Sequence, residues 1–142
     1  MDLGSRHDTA AVVEVAEKEG RYVVRSHVFA AHPDPSKPAP ASHTQIQGDK
    51  IPIGNVENLI REIGARQTIR EVVYDPWRFT RSAELLESDG FLCVEYPMTN
   101  ARLAPASQRL YDLVIDQSVT HDGNEVLAAH IAGCVAKETE RG

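Results

Sequence analysis

The chain has 142 residues, of which 42% are hydrophobic and 25% are charged, and this composition excludes an intrinsically disordered protein. The length is enough for one domain that buries a core without disulfides or a structural metal. Fifteen basic and 21 acidic residues give a net charge of −6. Long-range electrostatics would therefore repel a polyanion, and any nucleic-acid binding must be local or assisted.

Cysteine usage and hydropathy exclude further classes of protein. Neither Cys93 nor Cys134 belongs to a C-x-x-C pair, which argues against a zinc ribbon or a secreted disulfide scaffold and favours a reducing cytosol. The longest apolar runs are far shorter than the roughly 20 residues that span a bilayer, and the amino terminus has no signal-peptide pattern. The sequence therefore predicts a soluble intracellular protein without a membrane partner.

A hairpin and a long loop follow the segment that carries Asp2. β-branched and aromatic residues over 9–15 and 21–29 flank Lys18-Glu19-Gly20, which predicts two antiparallel strands joined by a short polar turn. Residues 30–52 contain five of the eight prolines. We expect an extended surface loop there, either a functional flap or a variable excursion.

The next predicted element is an amphipathic helix with apolar residues at i, i+3, i+4 and i+7, namely Val56, Leu59, Ile60 and Ile63. Asn55 is placed to cap the start of this helix and Gly64 to end it.

Strands and helices then alternate to the end of the chain. A buried strand over 71–74 leads to a helix that Thr80 caps and that stops near Gly90, and a second buried strand covers 91–95. Apolar stripes predict helices over 101–116 and from Val126 onward, the last one capped by Asn124. The pattern predicts an α/β fold whose mixed sheet, an antiparallel hairpin plus parallel strands, is flanked by helices.

Two aspartates lie where an α/β fold places its ligands. Asp75 closes the strand-like run Glu71-Val72-Val73-Tyr74-Asp75, and Asp2 lies in Met1-Asp2-Leu3-Gly4-Ser5 at the other end of the pattern. An apolar strand that ends in an acidic residue puts that carboxylate at the carboxyl edge of a sheet. If the segment of Asp2 lies beside the strand of Asp75, the two carboxylates meet at one edge and can share a divalent cation.

The order and spacing of these motifs resemble the nuclease domain of phage terminase large subunits, within the ribonuclease H-like superfamily. The matching segments span nearly the whole chain: Asp2-Leu3-Gly4-Ser5 with Asp8-Thr9-Ala10-Ala11-Val12, Val73-Tyr74-Asp75-Pro76-Trp77, Gly90-Phe91 with Val94-Glu95-Tyr96-Pro97, and His121-Asp122-Gly123-Asn124 with Val126-Leu127 and His130. The resemblance implies a single ribonuclease H-like domain over residues 1–142. It also implies an endonuclease that cuts concatemeric phage DNA by phosphodiester hydrolysis with two Mg²⁺ or Mn²⁺ ions.

The resemblance also implies which residues bind metal. Asp2 and Asp75 match the first two of the family's three acidic ligands, so they are the expected catalytic residues, with Asp2 bridging the ions. No segment before Gly142 matches the third ligand. Asp122 or Asp8 could take its place, although the family pattern gives neither of them that role. Against the family's pattern we expect a domain truncated at both ends, without the preceding ATPase domain, and weak or inactive by itself.

Partners and location follow from the same resemblance. We expect double-stranded DNA, the terminase ATPase domain, the small terminase subunit and the portal as partners. The expected location is the cytoplasm of a bacterial host, with the gene encoded by a phage or prophage. Candidate DNA contacts are His121, Trp77 and Arg78.

Other interpretations of the same residues stay open. Asp75, Asp8 and His121 could simply form turns or caps, and Trp77 could cover the edge of the core. Asp-x-Gly-Ser followed by Thr9 also resembles the first phosphate loop of actin-like ATPases and sugar kinases, which need two such domains to enclose a nucleotide. A third alternative is a non-catalytic remnant of the nuclease fold.

Overall fold

A computed structural model describes residues 9–32, 44–47 and 52–134 of the chain. Asp2 and Asp8 lie outside these residues. The described elements follow the order β1 (Thr9–Lys18), β2 (Arg21–His32), β3 (Thr44–Gln47), α1 (Ile53–Arg66), β4 (Val72–Tyr74), α2 (Thr80–Ser88), β5 (Cys93–Glu95), α3 (Asn100–Ile115), β6 (Val119–His121) and α4 (Glu125–Ala132). The predicted α/β class, with a mixed sheet flanked by helices, is confirmed.

The first two strands form the predicted antiparallel hairpin. Their register runs from Thr9 opposite Ala30 to Lys18 opposite Arg21. Glu19 and Gly20 connect the strands with φ angles of 54° and 77°. Positive φ at both central residues is what a two-residue type I′ turn requires, and the twist of this turn matches the twist of the strands.

Two short strands pair with β2 and were not predicted. β3 pairs in parallel with the end of β2 and β6 with its beginning. Because β1 occupies one edge of β2 over nearly its whole length, β3 and β6 share the other edge. The expectation of a loop without strands over 30–52 was therefore wrong at β3. Residues 33–43 and 48–51 of that segment lie outside the described residues.

A second, two-stranded sheet carries the region around Asp75. β4 and β5 pair in parallel, with Val72 opposite Cys93 and Tyr74 opposite Glu95, and α2 is the crossover between them. This confirms the predicted parallel pair. Both sheets and the first two helices contribute to one buried core, which contains Ala10, Val12, Phe29, Val56, Ile60, Ile63, Tyr74, Phe79, Ala83 and Leu86.

Polar contacts connect α1 to both of its neighbours. The Ser82 hydroxyl of α2 donates to buried Glu57 of α1 at 2.6 Å. At the other end of α1, the Gln67 amide donates to Glu14 of β1 at 2.5 Å. A buried hydrogen bond to a carboxylate stabilises by about 1.5–3 kcal/mol. These contacts help to keep α1 against both α2 and the first sheet.

Some predicted helix ends were wrong. Pro52, rather than Asn55, is the N-cap of α1, and Gly64 lies inside that helix. α2 has Phe79 at its N-cap, while Thr80 is the first helical residue, with its hydroxyl donating to the Pro76 carbonyl at 3.0 Å. The Asn124 cap of α4 is confirmed, because its side chain accepts from the amides of the second and third helical residues.

The third and fourth helices lie more openly on the surface. α3 has the predicted extent to within one residue at each end, yet none of its residues is buried against the described part of the chain. Val126 is the buried residue of α4. No helix in the described ranges has the length and apolar character needed to cross a bilayer.

Candidate functional site

Asp75 follows β4 directly, at the carboxyl end of the parallel β4–β5 pair, as predicted. Its side chain is half-buried, and Oδ1 accepts a hydrogen bond from the Trp77 backbone amide at 3.1 Å. This is the local turn contact that an aspartate before proline commonly makes. The contact uses one carboxylate oxygen. Within the described part of the chain the other oxygen has no hydrogen-bond partner, so it is available to a ligand.

The loop after Asp75 places one aromatic ring inside the protein and one outside. Phe79 is 1% exposed and its ring lies 5.5 Å from that of Tyr74, whereas Trp77 is 72% exposed. Phe79 therefore closes the core edge, and the alternative in which Trp77 covers that edge is wrong. A solvent-exposed indole lies two residues from the candidate ligand.

Arg78 is held in an unusual backbone conformation beside this indole. Its φ angle is 67°, in the left-handed region that non-glycine residues seldom adopt. Its guanidinium carbon lies 5.9 Å from the centre of the Trp77 ring, at the outer limit of a cation–π contact. The two candidate DNA contacts predicted from this segment thus lie together on the surface, beside Asp75.

Tyr74 and Glu95 close the same end of the β4–β5 pair. The Tyr74 hydroxyl donates to Glu95 at 3.4 Å, and the Tyr96 amide continues the ladder by donating to the Tyr74 carbonyl at 2.7 Å. Burial, reinforced by the negative charge of Glu95, raises the pKa of Tyr74 above its ordinary value. Tyr74 is therefore a neutral donor at physiological pH. Glu95 was not predicted as a site residue, although it ends an apolar strand as Asp75 does.

His121 is the last residue of β6 in the first sheet, and Asp122 follows it directly. The Gly123 amide donates to Nδ1 of His121 at 3.0 Å, and the Asn124 amide donates to Asp122 at 3.1 Å. Both side chains are exposed and make turn contacts. Because Nδ1 of His121 accepts, neutral His121 carries its proton on Nε2, where it can donate to a ligand.

Within residues 9–32, 44–47 and 52–134, no three histidine, cysteine, aspartate or glutamate side chains come together in a group that could hold a metal ion. At the carboxyl end of the β4–β5 pair the described residues offer Asp75, with one uncommitted carboxylate oxygen, and Glu95, which accepts from the Tyr74 hydroxyl. Hard oxygen ligands of this kind suit Mg²⁺ and Mn²⁺, and Mg²⁺ takes only one or two protein carboxylates. The chemistry of Asp75 therefore fits one ligand of a divalent cation.

A known protein family matches this chain along its whole length. Residues 1–142 match the family model described as "Terminase large subunit, endonuclease domain". The fold is similar to that in the crystal structure of the HK97 bacteriophage large terminase, with a TM-score of 0.73 and 21% sequence identity over 89% of this chain. The similarity spans 29% of the HK97 chain. No curated protein sequence gives a significant match. The match along its full length shows that this chain belongs to the family of terminase large subunit endonuclease domains.

Proposed function

We propose that this domain cuts DNA by metal-dependent phosphodiester hydrolysis, with Asp2 and Asp75 as metal ligands. The observation that carries the proposal is the uncommitted oxygen of Asp75 at the carboxyl end of a parallel strand pair, in a chain that matches an endonuclease family over its whole length. The same match favours a nuclease over the kinase-like alternative.

An unpaired strand edge supports the pairing of Asp2 with Asp75. β4 pairs with β5 along one edge, and β1 pairs with β2 along one edge. Among the described residues, no strand pairs with the second edge of β4 or with the second edge of β1. The segment that carries Asp2 directly precedes β1. In the proposal that segment lies beside β4, with Asp2 at the carboxyl edge where Asp75 lies.

Two Mg²⁺ or Mn²⁺ ions, when bound, would activate a water molecule and stabilise the leaving oxygen of the phosphodiester. In the proposal Asp2 and Asp75 would hold these ions, with Asp2 shared between both and Asp75 a ligand of one. A third carboxylate comes from Asp122 or Asp8. Trp77 and Arg78 contact the DNA next to the cleaved bond, and the exposed Nε2 of His121 donates to a phosphate.

The net charge of −6 makes these local contacts necessary, because the chain as a whole repels DNA. In the proposal the ATPase domain of a terminase helps to hold the duplex, and the small terminase subunit and the portal complete the packaging assembly. The proposed setting is the cytoplasm of a host cell during infection.

A plasmid-nicking assay in Mn²⁺ tests the proposal. The wild-type chain should convert supercoiled plasmid to nicked circles, and Asp75→Asn and Asp2→Asn should reduce this to the metal-free background. Asp112→Asn is the matched control, because Asp112 is an exposed aspartate on α3 whose carboxylate contacts Gln108. Mn²⁺ binding, followed by electron paramagnetic resonance without DNA, should weaken in the Asp75 and Asp2 variants and not in the control.

Equal nicking by all four proteins would overturn the assignment of both ligands. A wild-type chain that neither binds Mn²⁺ nor nicks DNA would identify the domain as a non-catalytic remnant of the fold. Thermal stabilisation by ATP without nicking would instead support the kinase-like alternative.

A further inference from the structure

We infer that Trp77 stacks on an unpaired base beside the cleaved phosphodiester, so that DNA with locally unpaired bases is the preferred substrate. This inference rests on the proposed nuclease function and adds its substrate class. It also assigns Trp77 a role in specificity, whereas the cleavage chemistry needs only the carboxylates.

The exposure of Trp77 is the first observation. Its indole is 72% exposed, although the buried ring of Phe79 lies two residues further on and shows that this loop can bury an aromatic side chain. An indole left in water forgoes the stabilisation that its large apolar surface would give on burial. Exposed tryptophan is accordingly typical of sites that bind a partner.

The position of Trp77 is the second observation. Its backbone amide donates to the Asp75 carboxylate at 3.1 Å, so the backbone that carries the indole is held beside the proposed metal ligand. A phosphate bound at Asp75 would bring its own base or the adjacent one to the same loop.

Arg78 supplies the third observation. Its guanidinium lies over the Trp77 ring at 5.9 Å and occupies one face of the indole, which leaves the opposite face for a base. The left-handed backbone of Arg78 costs conformational energy, and such residues cluster at binding and active sites. Arg78 also places a positive charge beside the indole in an acidic chain, which suits a nucleotide rather than a purely apolar partner.

The pairing state of the DNA decides whether the indole can stack. In an intact duplex both faces of each base are covered by its neighbours, whereas a single-stranded or extruded base exposes a face to an aromatic side chain. Stacking also depends little on sequence or on net charge, because every base has a π-face. It therefore gives an acidic domain a way to hold DNA that long-range attraction does not provide.

The intrinsic fluorescence of the protein offers a direct test, because Trp77 is the sole tryptophan. The 142-residue chain would be titrated in Ca²⁺ with oligo-dT, with a fully paired duplex, and with the same duplex carrying a central unpaired tract. Oligo-dT and the interrupted duplex should quench the emission, and the paired duplex should leave it nearly unchanged. Equal quenching by the paired and interrupted duplexes would overturn the preference for unpaired bases.

Variants supply a second readout, the anisotropy of labelled oligo-dT. Trp77→Ala should weaken binding by about 5- to 150-fold, the range expected for the loss of one base–aromatic stack. Trp77→Phe should recover part of the affinity. Tyr111→Ala is the matched control, since Tyr111 is a 62% exposed aromatic on α3, and it should bind as the wild type does. Unchanged affinity in Trp77→Ala would refute the stacking role.

Failure of this inference is distinguishable from failure of the proposed nuclease function. Suppose that Mn²⁺-dependent nicking requires Asp75, but that DNA does not quench the Trp77 emission and Trp77→Ala binds oligo-dT as the wild type does. This result would overturn the stacking role and leave the proposed nuclease function intact. Quenching by oligo-dT in a chain that never nicks DNA would support the stacking role and overturn the nuclease.

Discussion

Substitution of Gly64 by alanine tests how closely α1 packs against the sheet that carries Asp75. An ideal Cβ at Gly64 would lie 2.7 Å from Cε1 and 2.8 Å from Cζ of Phe91, well inside van der Waals contact. Phe91 precedes β5 and packs against the core. Because the ring or the helix must shift, we expect an overpacking cost of about 1–3 kcal/mol. Alanine is the better helix former by about 1 kcal/mol, so Gly64→Ala should destabilise by about 0–2 kcal/mol.

The second substitution, Phe91→Leu, separates these two effects. Leucine lacks both of the clashing atoms, and the next atom from Gly64, Cδ1 of Ile69, lies at an ordinary 3.6 Å. In the Phe91→Leu background, Gly64→Ala should therefore stabilise by about 1 kcal/mol, its helix-propensity gain. The coupling free energy between the two sites should equal the overpacking cost, about 1–3 kcal/mol.

Urea unfolding of the wild type, both single variants and the double variant, followed by circular dichroism, measures this cycle. The m-values should stay constant, and a change of about 1 kcal/mol should move the melting temperature by about 2–4 °C. Gly54→Ala is the control, because Gly54 lies in the same helix with open space around it and should be insensitive to residue 91. If Gly64→Ala stabilised the wild type as much as the Phe91→Leu variant, the packing argument would be refuted.

The remaining predictions concern the loop, the alkaline pH range and the third ligand. Arg78→Gly should be more stable to urea than Arg78→Ala by about 0.5–1 kcal/mol, because glycine relieves the left-handed backbone strain at a cost in unfolded-state entropy; equal stability would contradict the strain. Both variants should lower the slope of log Kd for DNA against log salt by about 1, since one phosphate contact is lost. Burial raises the pKa of Tyr74, so the unfolded chain releases that proton first and stability should fall as pH rises above about 10.0. In thermal melts above about pH 10.0, Tyr74→Phe should no longer show this loss of stability. The separate loss of stability that the raised pKa of Cys93 causes above about pH 9.0 should persist in this variant. If Asp122 supplies the third carboxylate, Asp122→Asn should suppress Mn²⁺-dependent nicking and Asp8→Asn should not; the reverse result would assign the role to Asp8.

Local sequence patterns determined much of this fold. The hairpin could be predicted because a Glu-Gly turn between two β-branched runs specifies its own register, and α1 because its apolar residues recur at the helical period. The Asn124 cap was equally local, since its side chain bonds to amides only two and three residues away. Asp75 could be placed at a strand end because its strand is short, apolar and closed by proline.

Features that depend on distant contacts could not be predicted in this way. β3 and β6 are short and largely polar, and they form strands because β2 offers them an open edge. Gly64 resembled a helix end, but the Phe91 ring, 27 residues further along the chain, makes it a packing position inside α1. The same distinction applies to the candidate site. The residue types around Asp75 were evident from the sequence. The burial of Phe79 and the exposure of Trp77 depend on how the core packs and could not be predicted. A side chain's hydrogen bonds to its neighbours are encoded within a few residues, but its burial is a property of every element that packs around it.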